Sequence, residues 1–476
     1  MKILRMLEKN TGFWLILASS FIFFLLRFPS LFEPLWYGDE GIYQAIGSSL
    51  NSGMTLYKEI FDNKPPLLYW LYSLFGSDQF AIRLVSLIFG ILSIIIFFLV
   101  CKKLFKTQSK ICYLSTVIFT ILFGLPMFEG NIANAENFML LPIITSSLLV
   151  ISQKRFFIAG VILGFAFLFK IVAIFDLSAF LVFCFIINFN SQKRNINLSS
   201  IALGFSLPIV LVSLYFLVNG AFSDFIKAIF LTNIPYVNYG NKIGNLPILL
   251  FVKLVLLGIF VIYLFKKRKN INTSSLFILI WFAFSVFNAL FSQRPYTHYL
   301  LVLLPSFSLM IGLIFFDKKN IKQIFIFLLI IIIILAKVFG IPKIEKNIRY
   351  YQNFISYIKN GKTTTSYQNF FDRNTPIDYE IARFIKPKLQ KDDKIFVWGN
   401  NAQLYELTNT LPITKYVVAY HITSYKDGVS VLTSALEKMK PKYVVIMPNQ
   451  KTIPYSLTNY FNKIKIGNAN IYERVF

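Results

Sequence analysis

A chain of 476 residues in which 56% are hydrophobic and 53 are phenylalanine, with the apolar residues in long uninterrupted runs, is not that of a soluble protein. The formal charge of +26 would suit a polyanion, but many basic residues stand in short clusters between apolar runs. That is the positive-inside pattern, which argues against a nucleic-acid-binding face. Cys101, Cys112 and Cys184 lie in or beside apolar runs with no CxxC pair, so they offer neither a disulfide framework nor a zinc site.

In chain order, a basic lead (Lys2, Arg5, Lys9) precedes an apolar stretch that runs into Arg27 without a small-residue cleavage motif, and it is read as a retained span. Further stretches of membrane-crossing length bring the candidate spans to 11–28, 80–101, 111–127, 138–152, 156–170, 171–189, 199–218, 246–265, 275–292, 299–316 and 323–340. With about eleven spans and a cytoplasmic N-terminus, the cytoplasmic connections are basic throughout. They carry Lys102/Lys103/Lys106/Lys110, Lys154/Arg155, Lys193/Arg194, Lys266/Lys267/Arg268/Lys269 and Lys318/Lys319/Lys322. The opposite side then receives the 29–79 loop, a loop around Phe128–Asn137 with Glu129 and Glu136, the 220–245 loop, the Gln293–His298 turn and the C-terminal tail. The expected location is the plasma (inner) membrane, with the N-terminus cytoplasmic and the tail extracytoplasmic.

From about Pro342 the texture changes to short alternating segments. KIFVWG (394–399), YVVAY (416–420) and KYVVIMP (442–448) read as buried strands, and Pro376–Gln390 and Gly428–Lys440 as amphipathic helices. Thr375-Pro376-Ile377-Asp378 has the form of a helix start with a hydroxyl cap, a first-turn proline and a carboxylate. The domain reading is a membrane domain over 1–341, with its active-site loop at 29–79, and a small extracytoplasmic α/β domain over 342–476. No Gly-rich phosphate loop, HExxH motif or clear internal repeat occurs.

The 29–79 loop carries the chemistry. It places Asp39, Glu40, Glu59, Asp62 and Lys64 between two strongly apolar segments, where ionisable groups are costly unless solvated or used. Ile42, Ala45, Ile46, Ser49 and Leu50 recur at helical spacing, so a surface helix follows Gly38 with Asp39 at its start. Neighbouring residues on a helix face different ways, so Asp39 and Glu40 do not serve one reacting atom, and Asp39 is the preferred acid. Its ordinary alternative role is a helix cap. Lys64-Pro65-Pro66 fixes an extended backbone and holds an ammonium at the interface, ready for a phosphate; the alternatives are snorkelling or charge at a helix end.

Gly38-Asp39-Glu40-Gly41, the tract ending Asp62-Asn63-Lys64-Pro65-Pro66-Leu67, Asn134-Ala135-Glu136-Asn137-Phe138, and Arg294-Pro295-Tyr296-Thr297-His298-Tyr299 leading into Leu304-Pro305 together resemble one superfamily. It is the GT-C glycosyltransferases, in particular the bacterial relatives of protein O-mannosyltransferases and of the lipid A aminoarabinose transferase. The Phe396–Gly399 tract is similar to the tail of bacterial members. Aminoarabinose enzymes carry Glu immediately before the lysine of the KPP motif, whereas this chain has Asn63, preceded by Asp62, so their sugar specificity is not carried over.

The resemblance implies transfer of a sugar from a polyprenyl-phosphate carrier to a lipid, glycan or protein acceptor on the outer face of the membrane, with inversion at the anomeric carbon. Asp39 is then the general base, and Glu40, Asp62 and Glu136 orient the base or the acceptor. Lys64 first, and Arg294 and His298 second, bind the donor phosphate. No cofactor is required by the sequence, and a divalent metal is left open. Asn134 and Glu136 also suit a helix cap and a dipole partner. Lys170 and Asp176 interrupt an apolar region and are expected to pair with each other or to meet the phosphate. Tyr43, Tyr57, Tyr69, Trp70, Tyr296 and Tyr299 suit stacking on sugar or carrier, or an interfacial belt. Tyr236, Tyr239 and Lys242 lie in a loop that could gate a groove. A lipid-linked sugar transporter and a non-catalytic assembly protein are the rival classes; the first would be expected to show paired repeats and broken midplane helices.

Overall fold

The computed structural model describes residues 11–106, 108–190, 197–243, 246–340 and 344–475. The basic lead Lys2, Arg5 and Lys9, the Lys193/Arg194 connection and the composition boundary at Pro342 lie outside the described residues. Among those described, nine helices are long and apolar enough to cross a membrane, and Ser109–Gly124 and Phe156–Phe169 are shorter apolar helices. The protein is thus a polytopic helical membrane protein, helices being the elements that satisfy their own backbone polar groups, as the bilayer demands.

Two compact units make up the chain. The first comprises Met1–Pro29, Leu84–Ser213 and Phe230–Ile348. In it Ala135–Ser152 packs on Phe156–Phe169, Thr273–Leu290 on Ile174–Asn190, and both Thr11–Arg27 and Leu304–Phe316 on Ser109–Gly124. Aromatic side chains fill the seams: Phe97 and Phe119 meet at 4.5 Å between ring centroids, Phe23 and Phe123 at 5.2 Å, and Phe180 and Trp281 at 5.7 Å. Gly160 and Gly204 lie against the backbone of Ile201 and Phe157, so their lack of a Cβ lets Phe156–Phe169 and Leu198–Val218 approach closely. The long apolar stretch over 156–189 is divided at Lys170, whose extended backbone ends one helix before a 3-10 turn, Ile171–Ala173, opens the next.

Ser30–Arg83, Leu214–Ile229 and Arg349–Phe476 form the second unit. Here the Gly38–Asn51 and Pro66–Leu74 helices pack on each other, and Gln403–Thr408 packs on the first of them. The sheet is built from β1 (Ile395–Trp398), β2 (Tyr443–Ile446), β3 (Tyr460–Ile466) and β4 (Ala469–Arg474), in the order β1-β2-β4-β3. β1 and β2 are parallel, with Phe396 opposite Val444; β4 runs antiparallel to both β2 and β3. β1 is buried along its length and β2 nearly so, as expected of short strands with both faces covered.

Two expectations are corrected in the tail, and one element there was not anticipated. YVVAY is not a strand: Tyr416 forms one isolated bridge, with Phe61, and the chain then turns into the Ala419–Ser424 helix, whose cap residue Val418 is extended. The helix expected over Pro376–Gln390 begins at Thr375, with Asn374 as cap and no side-chain capping bond, its α-helical part ends at Ile385, and two further helices, Ile344–Ile358 and Thr364–Asn369, precede it. The β3–β4 hairpin was not anticipated. β3 is exposed over most of its length, with Lys463 and Lys465 along it, so it lacks the apolar pattern that marks a buried strand.

Candidate active site

Asp39 is the second residue of the Gly38–Asn51 helix. The cap position belongs to Tyr37, with no side-chain capping bond, so the capping role for Asp39 is not the one it plays. The carboxylate instead accepts a hydrogen bond from Tyr43 Oη, one turn on, at 3.1 Å and faces Lys64 Nζ at 3.4 Å, both through Oδ2. The helix is buried on nearly every side from Glu40 to Ser49, so it is a packed element of the second unit and its acidic first turn is held in place.

Lys64 owes its position to its neighbours. Pro65 is the cap of the Pro66–Leu74 helix, at φ −62° and ψ 159°, which keeps the backbone extended where Lys64 leaves it. Tyr57, buried and at φ 67°, donates from Oη to Lys64 O at 2.6 Å, and Lys64 N donates to Tyr69 Oη at 3.3 Å. A left-handed backbone is uncommon for a bulky residue; here the Tyr57 N–H to Ile60 carbonyl bond of 2.7 Å closes the turn. Glu59 accepts from Thr55 N at 2.6 Å, a loop-closing contact.

Three charged groups therefore stand in a row. Lys64 Nζ lies 3.4 Å from Asp39 and 3.7 Å from Asp62 Oδ2, and 4.8 Å above the ring of Tyr43. Asp62 is buried; Tyr69 Oη donates to its Oδ2 at 2.7 Å, and His421 Nε2 lies 3.5 Å from its Oδ1. Burial, and then the nearby Asp62 charge, push the Tyr57 and Tyr69 phenols well above their usual range, so both remain hydrogen-bond donors. Asp39 keeps 35% of its side chain exposed against 18% for Lys64, which leaves it the accessible acid of the row.

Glu40 points elsewhere. Arg83 donates from Nε and Nη2 to its two oxygens at 3.1 and 2.5 Å, and from Nη1 to Ser30 O at 2.7 Å. Glu33 lies 2.9 Å from Arg83 and accepts from Trp36 Nε1 at 2.7 Å and from Tyr350 Oη at 2.5 Å. This buried, bidentate network ties the start of the loop to the helices around it.

The other expected site residues belong to the first unit. Asn134 caps the Ala135–Ser152 helix, its side chain accepting from Ala135 N at 2.8 Å. Glu136, in the first turn, pairs with Lys170, while Asp176 accepts from Trp281 Nε1 at 2.8 Å, so Lys170 and Asp176 do not pair with each other. His298 stands between carboxylates, with Nδ1 2.8 Å from Glu129 Oε2 and Nε2 3.7 Å from Glu136 Oε1. Thr297 Oγ1 donates to the other Glu129 oxygen at 2.6 Å. The Arg294 guanidinium lies over the rings of Tyr236 and Tyr239, at 4.8 and 4.5 Å, and its Nε is buried without a hydrogen-bond partner among the described residues. Tyr236 and Tyr299 share a 2.8 Å hydroxyl contact, and Lys170 sits 4.5 Å over the Tyr299 ring.

His421 was not singled out from the sequence. Its signal was slight: the chain has two histidines, and this one follows an apolar run read as a strand. Among the described residues no group of three or more His, Cys, Asp or Glu side chains could hold a metal ion. Asp39 and Asp62 share the single Lys64 ammonium between them, and position 63 offers a neutral amide.

Residues 63–216, which begin at the KPP tract, match the dolichyl-phosphate-mannose-protein mannosyltransferase family. The crystal structure of ArnT from Cupriavidus metallidurans bound to undecaprenyl phosphate shares the fold at TM-score 0.56 and 13% identity, over 97% of this chain and 98% of that one. The chain therefore has an ArnT-like fold. A second neighbour in fold is the apo oligosaccharyltransferase of Archaeoglobus fulgidus, at TM-score 0.52 and 13% identity over 92% of this chain and 70% of that one. An uncharacterised protein of Aquifex aeolicus (strain VF5) is 26% identical over 401 residues, 80% of this chain and 91% of the relative. Residues 378–468 of the tail match the C-terminal domain of the putative competence-induced protein Ccs4.

Proposed function

We propose that the protein transfers a sugar from a polyprenyl-phosphate carrier to an acceptor hydroxyl or amine, with inversion and with Asp39 as general base. The observation that carries this is the meeting, at 3.4 Å, of an accessible carboxylate and an ammonium drawn from residues 25 positions apart. Sugar transfer from a lipid phosphate needs those two groups together: a base for the attacking atom and a cation for the departing phosphate. The GT-C fold and the undecaprenyl phosphate bound to ArnT favour a lipid-linked donor.

In the proposed step the donor phosphate takes the Lys64 ammonium from Asp39, which frees the carboxylate as an acceptor of the proton. The acceptor oxygen or nitrogen attacks the anomeric carbon from the face opposite the phosphate, a bond to carbon forms, and the carbon–oxygen bond to the phosphate breaks. The acceptor proton passes to Asp39, and the polyprenyl phosphate leaves as an anion held by Lys64. Asp62, fixed by Tyr69, orients Lys64; Glu40 acts through Arg83 on the helix that carries Asp39. In the first unit, Arg294 is the second candidate for phosphate, since its guanidinium is held by aromatic faces and its Nε lacks a hydrogen-bond partner among the described residues. His298 is a weaker candidate because carboxylates face both its ring nitrogens, and Glu136 is proposed to act through Lys170. The orientation that suits this chemistry puts the N-terminus in the cytoplasm and residues 342–476 outside, as the basic connections imply.

Membranes containing the protein, supplied with radiolabelled polyprenyl-phosphate sugars and an extract of acceptors, test the reading. Label should move to an acceptor with the native chain and not with Asp39→Asn. Label that merely changes leaflet would favour a transporter, and equal transfer by both chains would remove Asp39 from its role.

A further inference from the structure

The tail meets the Asp62–Lys64 tract within the second unit through several contacts. Phe61 N donates to Lys415 O at 2.9 Å, and Phe61 and Tyr416 form a parallel bridge. The Phe61 ring stands edge-on to Tyr416, Tyr425 and His421 at 5.3, 5.0 and 5.7 Å between centroids. Tyr420 adds a ring at 4.3 Å from His421. Inside this aromatic enclosure His421 is 2% exposed, with Nε2 3.5 Å from Asp62 Oδ1 and a buried Nδ1 that has no hydrogen-bond partner among the described residues.

Chemistry selects one arrangement for that ring. A proton on Nε2 gives Asp62 a donor and leaves Nδ1 a bare acceptor, whereas a proton on Nδ1 would bury an unpaired donor and set a lone pair against a carboxylate. Burial draws the imidazole down to a pKa of about 4, against the opposing influence of Asp62, so the ring is neutral at physiological pH. A neutral donor matters here. It holds Asp62 in place without cancelling the negative charge that faces Lys64, which an imidazolium would do. Asp62 then has Tyr69 donating to Oδ2 and the His421 Nε2 standing 3.5 Å from Oδ1, and Lys64 is the cation it aims.

We infer that His421 is a positioning residue for the donor phosphate: acting through Asp62, it makes the C-terminal tail part of the lipid-phosphate-binding arrangement. This rests on the proposed role of Lys64 and adds to it a dependence on the tail.

The test is binding of undecaprenyl phosphate to the full chain in detergent, with the unfolding midpoint of each variant measured alongside. His421→Phe keeps an aromatic ring against Phe61 and loses the donor; His421→Gln keeps an N–H and loses the ring. H421F is expected to weaken binding about tenfold and H421Q to stay within about threefold of the native chain. Asp62→Asn should weaken it as H421F does, and the double variant no further, because both act along one path. A role in packing alone predicts the reverse order, with H421F near native and H421Q impaired, and that result would overturn the inference. Lys64→Ala separates the two readings. If it leaves binding unchanged, the role of Lys64 fails and the inference with it; if it weakens binding while H421F does not, only the inference fails.

Discussion

Asp39 and Glu40 are neighbours in the chain with unlike surroundings: one faces Lys64 at 3.4 Å and keeps a third of its side chain in solvent, the other is sealed against Arg83. That divergence follows from helical geometry, in which successive side chains are turned by about 100°. It separates the consequences of two similar substitutions. Asp39→Asn keeps shape and hydrogen bonding to Tyr43 but removes the base, so transfer should fall about 10²–10⁴-fold with little change in unfolding midpoint, as measured by labelled-sugar transfer and a thermal scan. Glu40→Ala leaves Arg83 with Glu33 as its remaining carboxylate in a buried site, and should cost about 3–5 kcal/mol of stability, seen as lost folded protein. Lys64→Ala should lower transfer about 10²–10³-fold by withdrawing a cation from the leaving phosphate. Both Asp39 and Lys64 were legible as candidates because charges between apolar runs are conspicuous. Their partners were not, since nothing in the order of residues says which carboxylate meets which cation.

At the scale of elements, periodicity located most helices and two of the strands and failed where tertiary contacts overrode it. YVVAY has the composition of a strand, yet only Tyr416 finds a strand partner, and Ala419 N donates to Gly399 O at 2.9 Å as the chain turns into a helix. β3 was missed for the opposite reason, an exposed strand whose polar residues blur the alternation. The Gly38–Asn51 helix was foreseen, but not that Gly41 would be its point of contact with Gln403–Thr408. A Cβ at Gly41 would lie 2.7 Å from Gln403 N and 2.9 Å from Gln403 Oε1. Gly41→Val should therefore force this helix away from the tail, lowering the unfolding midpoint and weakening undecaprenyl phosphate binding although no charged group has changed. Gly41→Ala should do the same to a smaller degree.

Across the whole molecule, two buried tail groups set opposite pH dependences. Asp378 accepts from Asn401 and Gln403, and burial raises it to about 7, above its unfolded value of 3.8; its contribution to stability is full below pH 4 and is lost as pH rises toward 7. His421 is lowered to about 4 from 6.5; its contribution is present above pH 6.5 and is lost as pH falls toward 4. The two slopes oppose each other over most of that range. Thermal scans of the full chain in detergent between pH 4.5 and 8 should show Asp378→Asn converting a shallow profile into one that rises with pH (~4–6.5), and His421→Gln leaving one that falls. Unchanged profiles would remove both assignments.

Amino-acid order by itself determined the membrane class, the number of apolar segments and the sets of acids and bases from which a site could be drawn. Each of those follows from local composition, since the bilayer imposes hydrophobic length and the positive-inside rule acts on short connections. Only the tertiary structure decided that Asp39 and not Glu40 faces Lys64, that Lys170 answers Glu136, and that a histidine from the far end of the chain meets Asp62. Those pairings depend on where remote segments pack, and a buried charge is stable only beside whatever partner that packing delivers.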